Sequence, residues 1–189
     1  MDQSPRTAPA FGVLVCSVLL AAAVRADVKN CDCDLTRPET MAARQCGLCR
    51  EAEKQPPEPQ FFFLKDTNPR KPNRWLALPR FHGAGAHSIS DLTPAQRTAF
   101  WAAAIEKAKS LFGDDWGLAL NGDPVRTQCH AHIHIGRFNR AGERDNFIVV
   151  RGPTQIPLPK NGTGLWVHPV NGKLHVHLGE QITETVLLK

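Results

Sequence analysis

Short apolar runs and one long periodic segment predict the elements of the first half of the chain. The runs at 61–65 and 75–79 have the length of strands, and a loop rich in proline, asparagine and lysine separates them. Apolar residues then recur at helical spacing over 95–112. This segment follows the capping sequence Thr-Pro-Ala-Gln at Thr93, and Gly113 ends it. We therefore expect two strands and then one long helix that packs its apolar stripe against a sheet.

The second half of the chain has the pattern of further strands. Residues 116–121 and 128–137 are predicted strands, and 147–151 is a short apolar run. Two more runs flank Asn171-Gly172, and this dipeptide is a strong signal for a two-residue hairpin turn. The whole pattern predicts an α+β fold. It has an antiparallel sheet of about five strands, one main helix and a C-terminal β-hairpin extension.

The beginning of the chain resembles a secretory signal. Arg6 precedes an uncharged apolar run at 11–24, and the small-x-small sequence Val-Arg-Ala ends at Ala26. The run is shorter than the roughly 20 residues of a membrane-spanning helix. We expect cleavage after Ala26 and export to the periplasm or a membrane surface. Retention as an anchor and a cytosolic location are the alternatives.

Composition divides the chain into four predicted parts. They are a signal peptide at 1–26, a cysteine-containing N-terminal segment with a proline-rich joint at 27–60, the main domain at 61–140, and a C-terminal β extension at 141–189. The net charge of +5 suits an anionic substrate or membrane surface. No run of basic residues alternates with aromatic residues, so a nucleic-acid partner is not expected.

Cysteines cluster near the start of the predicted mature chain. Of the six in the sequence, four lie at Cys31, Cys33, Cys46 and Cys49. In an oxidising compartment this clustering is typical of one or two disulfides. A Cys-x-x-Cys sequence is also a common half-site for tetrahedral zinc, so both interpretations stay open. Cys129 alternates away from the histidines beside it and is predicted to be a thiol in the core.

Three histidines alternate with aliphatic residues in the predicted strand 128–137. Successive side chains of a strand point to opposite faces, so His130, His132 and His134 should share one face. A buried imidazole needs a hydrogen-bond partner, which makes three of them poor core filling. A neutral imidazole is a competent nucleophile toward phosphorus, and its neighbours can orient it or transfer protons. The pattern favours phosphoryl transfer over a metal site or a solvated polar face.

The stretch from His130 to Gly136 resembles the His-φ-His-φ-His-φ-φ signature of the histidine-triad (HIT) superfamily of nucleotide hydrolases and transferases, where φ is an apolar residue. The likeness extends over roughly 46–140 and implies a HIT-like catalytic core. It implies that His132 is the nucleophile, that His134 binds the transferred phosphate, and that His130 supports the site or binds a metal ion. It also implies that catalysis needs no metal ion. HIT proteins commonly pair, so a homodimer is expected.

The resemblance also implies substrate-binding residues. Thr127 stands where the family has a hydroxyl that contacts phosphate, Asn121 lies near the family's asparagine, and Gln128 is a weaker candidate. Arg126 is a further candidate. An exposed surface charge is nevertheless the favoured interpretation for Arg126, Arg137 and Arg140.

Within the superfamily, the chain resembles the exported CDP-diacylglycerol pyrophosphatases better than the other branches. The shared sequences are Leu64-Lys-Asp66, the turn at 78–81, Leu118-Ala-Leu-Asn121 and the string from Arg126 to His134. We therefore expect hydrolysis of a liponucleotide at a membrane surface, with CDP-diacylglycerol and water giving CMP and phosphatidate. The alternatives are hydrolysis of a soluble nucleotide, such as a dinucleoside polyphosphate or a nucleoside phosphoramidate, and an exported metal-binding protein without turnover.

Two further groups of residues have the chemistry of metal sites. Cys46-Gly-Leu-Cys49 resembles the zinc knuckle of bacterial HIT proteins, which implies a structural zinc ion held also by His130 and by His82 or His87. Separately, the hairpin turn places His168 opposite His175 and Trp166 opposite His177, so these three histidines share a face. A second metal site and an extension of the substrate pocket are alternatives there, and an ordinary polar face is the favoured interpretation.

Overall fold

The structure is a computed structural model that describes residues 31–80 and 88–189. The predicted signal peptide, and His82 and His87 of the expected zinc site, lie outside the described residues. In the described ranges, no helix combines the length and the apolar character needed to cross a membrane.

Seven strands of the described residues form one sheet in which every pairing is antiparallel. They are β1 (Phe61–Lys65), β2 (Trp75–Pro79), β3 (Trp116–Leu120), β4 (Ile133–Arg137), β5 (Ile148–Val150), β6 (Gly164–Val170) and β7 (Lys173–Glu180). Their order across the sheet is β1-β2-β4-β3-β6-β7-β5. The α+β class is confirmed, but the expected number of about five strands is wrong. The hairpin β6–β7 pairs with β3, and β5 adds to its far edge, so the C-terminal strands enlarge the same sheet.

The main helix, α3 (Pro94–Phe112), covers one face of this sheet. Its first turn has the predicted capping box, in which the Gln96 side chain accepts from the Thr93 amide at 2.9 Å and the Thr93 hydroxyl accepts from the Gln96 amide at 3.3 Å. Its buried side chains pack on alternate residues of the central strands, which include Leu118, Ile133, Ile135, Leu165, Val167 and Val176. The helical prediction is confirmed, and these residues form the main core.

The opposite face of the sheet carries the histidines and is called the histidine face below. Ala119 of β3 lies opposite both His134 and Trp166, and Trp166 lies opposite His177. Residues directly opposite each other share a face, so His134 and His177 lie on one side of the sheet. The C-terminal residues Val186 and Leu187 pack on Ala119 and Trp166 between them. This face therefore holds two separate groups of histidines.

Close approach of the C-terminal residues to the sheet requires glycine in two strands. A Cβ added at Gly117 would lie 2.6 Å from a Leu187 methyl carbon, and one added at Gly136 would lie 2.8 Å from Cδ of Arg74. The Arg74 guanidinium in turn donates to the carbonyl oxygens of Glu184, Leu187 and Leu188. The last residues of the chain are thus part of the layer that covers the histidine face.

The N-terminal segment is more ordered than its irregular pattern predicts. It contains α1 (Pro38–Met41) and α2 (Gly47–Glu53), and disulfides join Cys31 to Cys129 and Cys33 to Cys46. Helices this short have little apolar periodicity, which explains why the pattern did not predict them. The Cys31–Cys129 bond attaches the segment to the main domain, and the Cys33–Cys46 bond closes a loop within the segment.

Strand β4 begins at Ile133, so the prediction of a strand from 128 is wrong for its first five residues. In the preceding residues the Cys129 amide donates to the Gln45 carbonyl at 2.8 Å. The Gln128 side chain accepts from the Leu48 amide and donates to the Arg44 carbonyl, each at 3.1 Å. The chain therefore pairs with the N-terminal segment before it enters the sheet, and His130 and His132 precede the strand.

Candidate active site

His132 is held by the main chain two residues before it. Its Nδ1 lies 2.7 Å from the His130 carbonyl oxygen. A carbonyl oxygen only accepts hydrogen bonds, so Nδ1 carries the proton and the lone pair of the neutral ring is on Nε2. Burial, followed by the nearby His134 and the Arg126 guanidinium, lowers the pKa of His132 to about 3. The ring is therefore neutral at ordinary pH, with the protonation state of a nucleophile.

His134 lies beside His132, with 4.9 Å between the ring centroids. Its Nε2 is 3.4 Å from Nδ2 of Asn121, which donates to it, and its Nδ1 is 3.7 Å from a carboxylate oxygen of Glu184. Burial lowers the pKa of His134 to about 4, although the Glu184 carboxylate acts in the opposite direction. This second ring is also neutral at ordinary pH.

Asn121 is oriented by the C-terminal part of the chain. Its Oδ1 accepts from the Thr183 amide at 2.9 Å, from the Thr183 hydroxyl at 3.2 Å and from the Glu184 amide at 3.1 Å. With the carbonyl oxygen used in this way, the amide nitrogen points toward His134. The structure therefore places Asn121 beside His134, where its amide can position that ring.

Glu184 is a residue of the site for which the sequence contains no signal. Lys71 forms an ion pair with its carboxylate. The same carboxylate lies 3.9 Å from Nη1 of Arg74 and 3.7 Å from Nδ1 of His134. Burial acts to raise the pKa of the Glu184 carboxyl, but His134, Lys71 and Arg74 outweigh that effect and lower it. The residue lies 50 positions after His134 in the chain, outside any motif, so only the fold reveals it.

Arg126 is buried, and the favoured interpretation of a surface charge is wrong for it. The residue is 2% exposed, and its guanidinium donates to the Asp123 carboxylate at 3.1 Å. Burial lowers the pKa of the guanidinium, against the opposing charge of Asp123. Arg137 and Arg140 are exposed beside Asp115, which agrees with the surface interpretation for these two. Of the three arginines, Arg126 is the one placed to attract an anion toward His132.

Three other predicted residues have structural surroundings. His130 is fully buried, and its Nε2 lies 2.8 Å from the Pro79 carbonyl oxygen, so this nitrogen donates a hydrogen bond. Its own carbonyl positions His132, which agrees with a supporting role. Thr127 is exposed, and Gln128 bonds to the N-terminal segment. The structure therefore does not bring Thr127 or Gln128 to the imidazoles.

A small cavity adjoins the site. It has a volume of about 50 Å³, and its lining includes Asn121, Arg126, Ser88 and the apolar Leu158. Ordinary ligand pockets measure about 300–1,000 Å³, so this cavity matches one group of a ligand rather than a whole nucleotide. His132 and His134 do not line this cavity, and they are 5% and 7% exposed.

The expected zinc site at the Cys-x-x-Cys sequence is not what the structure contains. Cys46 is bonded to Cys33, so the set Cys46, Cys49, His130 with His82 or His87 lacks one thiolate, and the disulfide alternative applies. Cys129, predicted as a thiol, is bonded to Cys31. Cys49 is a buried free thiol whose pKa burial raises to about 11. Sequence spacing does not reveal which cysteines meet in the fold.

Two groups of described residues are spaced to hold a metal ion. One consists of the sulfur atoms of Cys33, Cys46 and Cys129, which the disulfides occupy. The other consists of His168, His175 and His177 with Glu143. The predicted cross-strand register of these histidines is confirmed, since His168 lies opposite His175 and Trp166 lies opposite His177. The sequence did not indicate Glu143, which comes from the segment between β4 and β5.

No family model matches the chain, and no curated protein matches it either. Its chemistry is therefore inferred from the site itself. Two adjacent neutral imidazoles, one of them held by a main-chain carbonyl, lie next to a buried guanidinium and a carboxylate. This arrangement can attack an electrophilic phosphorus and bind the charge of its oxygens.

Proposed function

We propose that the protein is a HIT-like hydrolase that cleaves the phosphoric anhydride bond of a nucleotide through a nucleotidyl-His132 intermediate. The observation that carries the proposal is the 2.7 Å contact between Nδ1 of His132 and the His130 carbonyl. This contact defines the tautomer, so the lone pair of the neutral ring is on Nε2. A fixed neutral imidazole is the state that nucleophilic catalysis requires.

The proposed reaction has two steps. The Nε2 lone pair of His132 attacks the nucleotide-side phosphorus, the bond to the bridging oxygen breaks, and its electron pair leaves with the other phosphate. Water then attacks the same phosphorus, the phosphorus–nitrogen bond breaks, and the proton released from water passes to solvent. The products are a nucleoside monophosphate and the departing phosphate compound. In the intermediate the ring is cationic, and the carbonyl that accepts from Nδ1–H stabilises that charge.

Neighbouring groups support the proposed roles in binding and orientation. The Arg126 guanidinium is close enough to His132 to lower its pKa, so it can attract the phosphate oxygens. Asn121 and Glu184 bracket His134 on its two nitrogens. With Asn121 donating to Nε2, Nδ1 of His134 carries the proton and lies 3.7 Å from the Glu184 carboxylate. The chain supplies every group in this scheme, so the proposed mechanism requires no catalytic metal ion.

CDP-diacylglycerol is the proposed substrate, with CMP and phosphatidate as products. The resemblance around His130, His132 and His134 favours it, and the lining of the cavity beside Arg126 also includes Leu158, a residue that is 37% exposed. A cationic and an apolar group at one opening suit an amphiphilic diphosphate. The two disulfides suit an exported protein, because oxidising compartments preserve such bonds. A homodimer remains part of the proposal on the family resemblance alone.

Hydrolysis of a substrate panel tests the proposal. Metal-free protein is offered CDP-diacylglycerol in mixed micelles, CDP-alcohols, ADP-linked compounds and a nucleoside phosphoramidate, and nucleoside monophosphate is measured. We expect CMP release from CDP-diacylglycerol, and a loss of about 10³-fold or more in His132→Ala. Circular dichroism shows whether that variant is folded. Turnover that persists in folded His132→Ala would exclude the nucleophile, and preference for a soluble compound would exclude the lipid substrate.

Two arginines provide a matched comparison for phosphate binding. Arg126→Lys keeps a positive charge but loses the planar fork of the guanidinium, so kcat/KM should fall about 10-fold or more. Arg137→Lys makes the same change at an exposed position on β4 and should leave kcat/KM unchanged. Equal behaviour of the two variants would remove Arg126 from the proposed site.

A further inference from the structure

The second histidine group lies on the hairpin β6–β7, at the far end of the histidine face. It consists of His168, His175, His177 and Glu143, whose ligand atoms all lie within 4.8 Å of one another. One line of directly opposite residues crosses the sheet from His134 through Ala119 and Trp166 to His177. This line spans three strand spacings, so the group lies about 14 Å from His134. The group is therefore distinct from the site of the proposed hydrolysis.

One carboxylate faces all three imidazoles. Glu143 oxygens lie 2.9 Å from Nε2 of His168, 3.4 Å from Nε2 of His177 and 3.6 Å from Nδ1 of His175. Only the contact with His168 has the geometry of a hydrogen bond. Within the described part of the chain, both ring nitrogens of His177 and Nδ1 of His175 are buried without a hydrogen-bond partner. His177 is only 1% exposed, and buried nitrogens of this kind ordinarily have a hydrogen-bond partner or a ligand.

Aromatic rings hold the three imidazoles in position. His168 stacks on Phe138 with 4.1 Å between centroids, His175 stacks on Phe147 at 3.9 Å, and His177 stacks on Trp166 at 3.4 Å. An ordinary polar sheet face would leave its histidines solvated and free to rotate. Here an aromatic ring stacks on each imidazole, and one nitrogen of each imidazole lies within 3.6 Å of a Glu143 oxygen.

The atom types and spacing match the requirements of a divalent metal ion. Bonds of 2.0–2.1 Å to a tetrahedral ion place ligand atoms about 3.3 Å apart. The contacts of Glu143 with His168 and His177, at 2.9 and 3.4 Å, already span that value. Imidazole nitrogens and a carboxylate oxygen are ordinary ligands of such an ion. A metal ion would satisfy the nitrogens that a single carboxylate cannot.

We propose that His168, His175, His177 and Glu143 form a binding site for a divalent metal ion of the Zn²⁺ type, with three nitrogen ligands and one oxygen ligand. Four protein ligands fill a tetrahedral site, so its role is structural. It joins the segment that contains Glu143 to the hairpin and completes the histidine face. The metal site consists of residues that take no part in the proposed hydrolysis. The metal-site proposal and the hydrolase proposal can therefore be refuted separately.

Zinc titration of the full mature chain tests this site. Protein stripped with a chelator is titrated with Zn²⁺ against a chromophoric chelator, at pH 7.5 and without reductant so that the disulfides stay closed. We expect one equivalent to bind, and Glu143→Gln to weaken the affinity about 10-fold or more. Glu180→Gln is the matched control, because Glu180 also lies beside the hairpin but accepts from the Trp166 indole at 3.0 Å and stands outside the group. Its affinity should equal that of the wild type.

Cobalt substitution identifies the ligands. Co²⁺ in a nitrogen and oxygen tetrahedral site gives visible absorption without thiolate charge-transfer bands, and this spectrum should be lost in His168→Asn and retained in His132→Ala. The proposal is overturned if the stripped wild-type protein binds no zinc. It is equally overturned if Glu143→Gln and His168→Asn, shown by circular dichroism to be folded, bind zinc as tightly as wild type. Thiolate bands in the cobalt spectrum would assign the ion to cysteines and also overturn it.

Discussion

Burial of His132 makes a specific prediction about the pH dependence of folding stability. The unfolded chain binds a proton on this imidazole near pH 6.5, whereas the folded chain does so near pH 3. Between these values the unfolded state binds more protons, so the free energy of unfolding falls as the pH is lowered. At about 1.4 kcal/mol per unit of pKa, the full range corresponds to about 5 kcal/mol. This is a large part of the stability of an ordinary domain.

Replacement by a residue that does not titrate isolates this contribution. His132→Gln is similar in size and polar, and every other titrating group is common to both proteins. The pKa of His134 is lowered first by burial, with no contribution from His132, so its titration should remain similar in the variant. Relative to the variant, the wild type should lose about 2.5 kcal/mol of stability between pH 7.5 and 4.5.

The measurement is urea unfolding of both proteins, with chelator present and the disulfides intact, at four pH values from 7.5 to 4.5. Tryptophan fluorescence reports the transition, and equal slopes with denaturant show that both proteins expose similar surface. A difference in stability between wild type and His132→Gln that stays constant over this range would refute the reasoning. It would mean that the folded protein protonates His132 as readily as the unfolded chain does.

Three further changes test the packing of the histidine face and the cross-links. Gly136→Ala places a Cβ 2.8 Å from the Arg74 side chain and should cost about 1–3 kcal/mol in a urea titration, whereas unchanged stability would show that the C-terminal residues yield easily. Cys31→Ser combined with Cys129→Ser removes a link between residues 98 apart, and should cost about 2–5 kcal/mol, seen as a lower melting temperature. Glu184→Gln leaves the buried Arg74 charge without this carboxylate and should lower the free energy of unfolding by about 1–3 kcal/mol at pH 7. An unchanged melting temperature would contradict this role of Glu184.

Local signals in the sequence predicted the elements that local forces determine. The strands Phe61–Lys65 and Trp75–Pro79 have the predicted bounds, and α3 begins at the predicted capping box. The register of the hairpin followed from the Asn171-Gly172 turn, and the paired histidines confirm it. Short-range backbone geometry and side-chain periodicity are sufficient for such features.

Contacts between distant parts of the chain were not predictable in this way. The disulfide partner of Cys129, 98 residues away, depends on how the N-terminal segment folds back. Strand β4 begins at Ile133 instead of 128 for the same reason, because the Cys129 amide bonds to the Gln45 carbonyl of the N-terminal segment. Glu143 and Glu184 come from irregular segments, where a carboxylate has no periodicity to distinguish it from a solvated charge. Both acidic residues complete histidine groups that the sequence indicated only in part.

The C-terminal residues organise the histidine face in two ways. They contact Asn121 and His134, and they lie between His134 and the second histidine group. Thr183 and Glu184 orient Asn121 by three hydrogen bonds, and Glu184 also contacts His134. A few residues later, Leu187 packs with Phe138 in the apolar cluster over the middle of the face. This apolar cluster, which also includes Ala119, Trp166 and Val186, lies between the two groups of polar side chains. The proposed nucleotide site at His132 and His134 and the proposed metal site on the hairpin therefore lie in separate groups on the same face of one sheet.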